Sequence, residues 1–286
     1  MKDAKPQTDI QQQMAEDMKL RGLAARTQDR YLHAIKALAE HYHCQPEQLN
    51  ERQVRKYLLY LIESKEYAKS TYNADLSAIK FLYRRTLGRD WNLLQIKCSK
   101  VPKKLPIVLS REEVWSLLDQ VRRPKPRMCL ILMYTCGLRV SEAVHLRVED
   151  IDSQRMALWV RNSKGYKDRS VPLPTQTLTQ LRLYWLEYRP KIWLFPAKHD
   201  AKTITASCVQ HCLMATVRQS QIRKNVGCHT LRHSYATHLL EAGVHLRVIQ
   251  ALLGHKSITS TFVYMHLTQG TMVDVQKKIN QLMKRG

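Results

Sequence analysis

The chain is 286 residues long, enough for two modest domains, each with its own core. Hydrophobic residues make up 44% of it and charged residues 25%, which is the balance of a globular protein and excludes a disordered one. Its 47 Lys+Arg against 24 Asp+Glu leave a formal net charge of +23, beyond the magnitude of about 2–8 that solubility requires; such a field attracts polyanions and points to nucleic acid.

Taken in chain order, the first hundred residues predict helices only. Tyr31, Ala34, Ile35 and Leu38 form one apolar stripe. Val54, Tyr57, Leu58, Leu61 and Ile62 form another, with Asn50 placed as its N-cap. A further helix runs from near Ser70 through Leu76, Ile79 and Tyr83 to a stop at Gly88. About four helices packed as a small bundle are expected over 1–100. The segment KCSKVPKK (Lys97–Lys104), followed by Pro106, reads as an interdomain linker, placed at 101–109.

The second domain, 110–286, opens with the capping box Ser110-x-x-Glu113. A helix from Arg127 stops at Gly137. The β signal is confined to Met156–Arg161 and Asp168–Leu173, which flank NSKGYK with Gly165 at the turn. Helices resume over Thr175–Tyr188, Thr205–Ser220, His229–Glu241 and His245–Leu253, the last two stopped by Gly243 and Gly254. The expected fold class is mainly α: a helical N-terminal bundle and a mostly helical C-terminal domain with a small antiparallel β-sheet.

No membrane is expected as a partner. The longest apolar run, Met128 to Met133, falls far short of the roughly 20 residues of a span, and the basic residues do not line one face as in a membrane-surface helix. The start, MKDAKPQTDIQQQ, lacks the apolar stretch of a secretory signal. Seven scattered cysteines without a C-x-x-C read as reduced thiols. The cytoplasm is the expected compartment.

The chemistry is narrowed by missing motifs. There is no G-x-x-x-x-G-K-[ST] loop and no G-x-G-x-x-G, and no carboxylate pair in a setting that suggests two-metal nuclease work. His229 and His233 share an i, i+4 spacing without the glutamate of H-E-x-x-H; Cys208, His211 and Cys212 have no second pair at a zinc-finger spacing; His41, His43 and Cys44 stand alone. No metal and no cofactor are expected. A phosphodiester displacement without metal needs fixed cations for the charge that builds on oxygen, and arginine supplies a planar fork of donors. It also needs a nucleophile and a proton donor.

Residues of these types occur in constrained places. Arg139 lies in CGLRVSE between Gly137 and Ser141, where Ser141 is placed to cap the next helix. Lys164 lies in the hairpin turn SKGYKDR, with Lys167 as its rival. His229 and Arg232 lie three apart in HTLRH, on one helix face. His255 follows Gly254, and Tyr264 lies in FVYMH. Each alone has a bland reading as a surface, packing or turn residue. Together they stand in order.

The segments GLRVSE, SKGYKDR, HTLRHSYATHLLEAG, LRVIQALLGH and SITSTFVYMH resemble the tyrosine recombinase (integrase) family, closest to its Xer-type and integron-type members, over about residues 106 to 270. The helical N-domain resembles that family's core-binding, SAM-like domain. The resemblance implies a catalytic set of Arg139, Lys164, His229, Arg232, His255 and Tyr264. Arg139 and Arg232 would clamp the scissile phosphate. Tyr264 would attack it, His229 would take the phenolic proton, Lys164 would protonate the leaving 5′-oxygen, and His255 would donate to the phosphate. The product would be a 3′-phosphotyrosine, religated without ATP or metal. Glu142 is expected to hold the Arg139 segment, Tyr235 and His238 to pack, and His233 to contact the phosphate or support the site.

The resemblance also implies double-stranded DNA with paired recombination sites as partner, gripped from two sides by the two domains, and a homotetramer on that DNA. The tail TQGTMVDVQKKINQLMKRG carries Met272, Val275, Ile279 and Leu282 at helical spacing, a stripe to be buried on its own domain or on a neighbouring protomer. Integration, excision and resolution of DNA elements, transposable ones included, are the implied errands. The rival functions are a phosphotyrosine-type topoisomerase and a non-catalytic DNA-binding protein on the same scaffold.

Overall fold

Period-3.6 apolar stripes and good caps dominate the chain, and the result is mainly helical. The structure is a computed structural model that describes residues 9–99, 105–161, 168–198, 201–255, 259–262 and 264. The chain divides into two compact units, Met1–Lys103 and Lys104–Gly286.

The first unit holds α1 (Asp9–Leu20), α2 (Ala25–Tyr42), α3 (Glu51–Glu63) and α4 (Lys69–Lys80). Its core is built from Met14, Met18, Ile35, Leu38, Val54, Leu61, Leu76 and Ile79, all essentially buried. Asn50 caps α3 as expected: its side chain accepts from the Gln53 amide at 2.9 Å and Gln53 answers to the Asn50 amide at 3.0 Å. The helix expected to run on through Tyr83 changes pitch instead. Phe81–Thr86 is π-helical, and the Leu87 amide reaches back to the Leu82 carbonyl at 2.9 Å. Tyr83 sits in this turn and donates to the Pro46 carbonyl at 2.7 Å, a tertiary bond that helical periodicity does not foresee.

The second unit holds α5 (Arg111–Asp119), α6 (Pro124–Thr135), α7 (Val140–Val144), β1 (Ile151–Asp152), β2 (Ala157–Val160), β3 (Arg169–Pro172), α8 (Thr175–Tyr188), α9 (Ala206–Gln219), α10 (Cys228–Glu241), α11 (Leu246–Leu253) and α12 (Thr259–Phe262). The helix α6 begins three residues before the expected Arg127, because Pro124 suits the first turn, where its missing N–H costs no hydrogen bond. Its run from Met128 to Tyr134 is buried on every side, and α5, α7, α8, α9 and α10 pack around it. The sheet has three antiparallel strands in the order β1-β2-β3, with Leu158 opposite Val171 and Trp159 opposite Ser170. The two-residue β1 is too short to show an alternation in sequence. A smaller core of Ala236, Ile249, Leu253 and Tyr264 joins α10 and α11 to the end of the described chain.

The turn with Lys164, Gly165 and Lys167 and the tail with Met272, Val275, Ile279 and Leu282 lie outside the described residues. No helix among the described residues is long and apolar enough to cross a membrane.

Candidate active site

Three arginines converge on one buried carboxylate and on the end of one helix. Glu142, in α7, is 4% exposed at its side chain. Its Oε1 accepts from Arg139 Nη1 at 2.6 Å and from Arg169 Nη1 at 2.9 Å; its Oε2 accepts from Arg169 Nη2 at 2.8 Å. Arg232 Nη1 stands 3.6 Å from Oε2. Burial pushes the Glu142 carboxyl upward, but the bonds and charge of Arg169 and Arg139 outweigh it and hold it down at about 2.

The same arginines satisfy successive carbonyls at the C-terminus of α11, which have no partner within the helix and carry the negative end of its dipole. Arg169 Nε donates to Leu252 O at 2.8 Å, Arg232 Nη2 donates to Leu253 O, and Arg139 Nη2 donates to Gly254 O at 3.4 Å. Gly254 ends α11 with φ +61, and a Cβ there would lie 3.2 Å from the Arg169 side chain. Arg232 Nη1 also donates to Gly137 O at 2.5 Å. Gly137 has φ +65, and a Cβ would meet the Tyr235 ring at 2.5 Å. Backbone conformation and lack of space both demand glycine between α6 and Arg139.

The expected cap at Ser141 is corrected. The N-cap of α7 is Arg139 itself, and its amide donates to Glu142 Oε2 at 2.8 Å. A carboxylate three residues on, held by three arginines, outcompetes a serine that lies inside the helix. Glu142 thus holds the Arg139 segment by backbone bond and ion pair together. Burial and the neighbouring Arg139 lower Arg232 to about 9, with Glu142 pulling it back. At neutral pH it remains a cation.

Beside this cluster, α10 carries His229 and His233 one turn apart, their ring centroids 6.4 Å apart. Tyr264 is 1% exposed, and its hydroxyl lies 3.0 Å from His233 Nδ1. His255 lies on its other side, the two rings stacked at 6.5 Å and 17°. His255 Nδ1 is 2.9 Å from the hydroxyl of Thr261, which is fully buried. Burial, then Arg232 and Arg139, lower His255 to about 4; burial, then His229 and Arg232, lower His233 to about 4. Both are neutral at pH 7. A hydroxyl donating to Nδ1 then leaves the proton on Nε2, free to donate elsewhere. His229 is exposed on one side, and the surrounding protein, Arg232 and Arg139 all disfavour its cation. Burial raises the Tyr264 phenol above its ordinary value of about 10, and Arg232 and Arg139 pull it partly back.

Of the six residues singled out by sequence, Arg139, His229, Arg232, His255 and Tyr264 therefore stand in one neighbourhood, and Lys164 lies outside the described residues. His238 is elsewhere, its Nδ1 3.0 Å from the Tyr134 hydroxyl, and Tyr235 packs over Gly137. Two residues had no role assigned by sequence. Arg169 lies within SKGYKDR; strand alternation puts it on the same side as buried Val171, and an arginine on an inward face implies a buried partner. Thr261 carries no such signal. Among the described residues no group of three His, Cys, Asp or Glu is arranged to hold a metal ion.

The protein-family models agree with this architecture. Residues 108–270 match the phage integrase family, and residues 10–93 match the phage integrase N-terminal SAM-like domain. A putative integrase/recombinase of Sinorhizobium fredii is 40% identical over 261 residues, 91% of this chain and 85% of that protein. A protein named tyrosine recombinase XerA, from Pyrococcus furiosus, is 33% identical over 77% of this chain and 78% of its own length. A lambda integrase dimer bound to a COC′ core site shares the fold, with a TM-score of 0.72 over 89% of this chain and 75% of that one, at 18% identity. This chain is a member of the phage integrase family, the tyrosine recombinases.

Proposed function

We propose that this chain cuts duplex DNA at a specific site through a 3′-phosphotyrosine at Tyr264 and religates it without metal or ATP. The observation that carries the reading is the placement of the Tyr264 hydroxyl within its own chain, between His233 and His255 and in the field of Arg232 and Arg139. Attack from Oη on phosphorus expels the deoxyribose 5′-oxygen. The charge that builds on the non-bridging oxygens meets Arg139 and Arg232, which are already oriented by Glu142 and the α11 carbonyls and need no reorganisation at the moment of reaction. His255, with Nδ1 turned to Thr261, presents Nε2–H to the phosphate. Lys164, with Lys167 as rival, protonates the 5′-oxygen. His229, one turn from His233 and in the field of Arg232 and Arg139, is a second donor to the phosphate or an acceptor of the tyrosine proton.

The net charge of +23 suits a duplex held mainly through its phosphates. The working unit is a homotetramer on two paired sites, its tails exchanged between protomers, acting in the cytoplasm on integrating, excising or resolving DNA elements. The test begins with duplexes selected by binding from a random-sequence pool and rebuilt with a nick beside the cleavage point, so that the cut strand escapes. A protein–DNA adduct that resists denaturation should form in EDTA and vanish in Tyr264→Phe. An adduct that persists in that variant overturns the reading, as does relaxation of supercoiled DNA lacking any selected site.

A further inference from the structure

We infer that His233 is the immediate acceptor of the Tyr264 proton during cleavage and its donor during religation. The inference rests on Tyr264 being the nucleophile. It assigns to His233 the step that the order of motifs gives to His229.

The geometry separates the three histidines around the phenol. His233 Nδ1 lies 3.0 Å from Tyr264 Oη, within the reach a general base requires. His255 has its Nδ1 committed to Thr261 and meets Tyr264 ring against ring. His229 stands one turn back on α10, and the described hydrogen bond of the phenol is not to it. A base must also be empty of its proton beforehand. Among the described residues, Tyr264 stands at His233 Nδ1, His255 lies across that phenol, and on the same helix stand the two groups that disfavour the His233 cation, His229 and Arg232. Together with burial they keep His233 neutral through the physiological range. Its lone pair at Nδ1 is therefore available whenever the phenol donates to it.

The step balances within the site. The Tyr264 O–H bond breaks and its proton passes to His233 Nδ1. The freed electron pair on Oη forms the bond to phosphorus. The bond from phosphorus to the 5′-oxygen breaks, and that oxygen takes a proton from the lysine acid. The resulting imidazolium sits beside Arg232, where a second cation is unfavourable. It is thus poised to return its proton to Tyr264 when the 5′-hydroxyl attacks in the reverse direction.

The test uses the full chain and two nicked duplexes of one selected site. One has the ordinary 5′-oxygen at the scissile phosphate. The other has bridging 5′-sulfur, a leaving group that needs no proton. His233→Asn keeps an acceptor near the position of Nδ1 but cannot take up a proton. It should slow single-turnover adduct formation about 100-fold at pH 7 on both duplexes, with duplex affinity and thermal midpoint unchanged. Its rate should climb about tenfold per pH unit where the unaltered chain has levelled off, because the phenol must then ionise unaided. His229→Asn should fall less, and without that pH slope. If asparagine at 233 lowers the thermal midpoint, His233→Gln carries the same comparison. A rate within threefold of the unaltered chain, with its pH profile, overturns the inference. So does recovery on the sulfur duplex, which would make His233 part of the acid arm. Failure of the underlying reading looks different: the unaltered chain forms no adduct, or Tyr264→Phe still does.

Discussion

Each unit of this molecule buries a carboxylate against arginine, Asp75 in the first and Glu142 in the second, and these two are tuned in opposite directions. In the first unit Asp75 pairs with Arg30, which is 36% exposed at its side chain. Burial outweighs that one partner and raises the Asp75 pKa. In the second unit Glu142 meets Arg139, Arg169 and Arg232, and its pKa falls to about 2. The first pair is a fold contact that can let go to water. The second gathers three cations around one anion and leaves the site with an excess of positive charge. That excess suits the anionic phosphodiester of the proposed reaction.

Substitution breaks the contrast most severely at Glu142. Glu142→Ala strands Arg169 and Arg232, both mostly buried, without a counter-ion. Urea unfolding should show a loss of about 3–5 kcal/mol, together with loss of adduct formation. Asp75→Asn should cost about 1 kcal/mol or less, because Arg30 can turn to solvent. Equal costs in the two units would remove the distinction.

Arg169 sharpens it. Arg169→Lys keeps the charge but forfeits the two parallel bonds to Glu142 or the bond to Leu252 O. The expected loss is about 2 kcal/mol, measured by the same unfolding. Single-turnover adduct formation should slow while duplex affinity holds, since Arg139 and His255 lose alignment and the phosphate contacts of the rest of the chain do not.

The smallest effect is on pH dependence. His233 and His255 have folded values near 4, below the ordinary value of about 6.5. The unfolded chain therefore binds more protons between those limits. The stability these two residues confer is full above pH 6.5 and is lost as the pH falls toward 4. Glu142 adds a further loss as the pH falls from about 4.5 toward 2. Asp75, with a raised folded value, works the other way: its contribution is present below its unfolded pKa and is lost as the pH rises through the folded one. Hydrogen exchange, corrected for intrinsic rates, should show the second unit weakening between pH 6.5 and 5 before the first. Parallel weakening of both units would contradict the assignment.

Much of this was legible in residue order because local rules wrote it. Asn50 announced its helix as an N-cap and Ser110 by a capping box, and both caps are present. Gly137 and Gly254 marked ends that need positive φ. Glu142 was expected to hold Arg139 and does. What sequence could not convey was choice among partners across long separations. Arg169 reaches Glu142 across 27 positions and Leu252 across 83. His233 and not His229 meets the phenol, since the rotation of α10 is set by how Leu231 and Ser234 pack, both fully buried. The π-helical turn at Phe81–Thr86 and the short β1 likewise depend on tertiary contacts and not on periodicity.

The most direct measurement is mass spectrometry of the trapped adduct. Protein cross-linked to the nicked duplex is digested with nuclease and protease, and the peptide bearing a phosphodeoxynucleotide is sequenced. The modification should map to Tyr264 through a 3′-phosphate. A mark on any other side chain, or a free 3′-hydroxyl at the cut, would contradict the account.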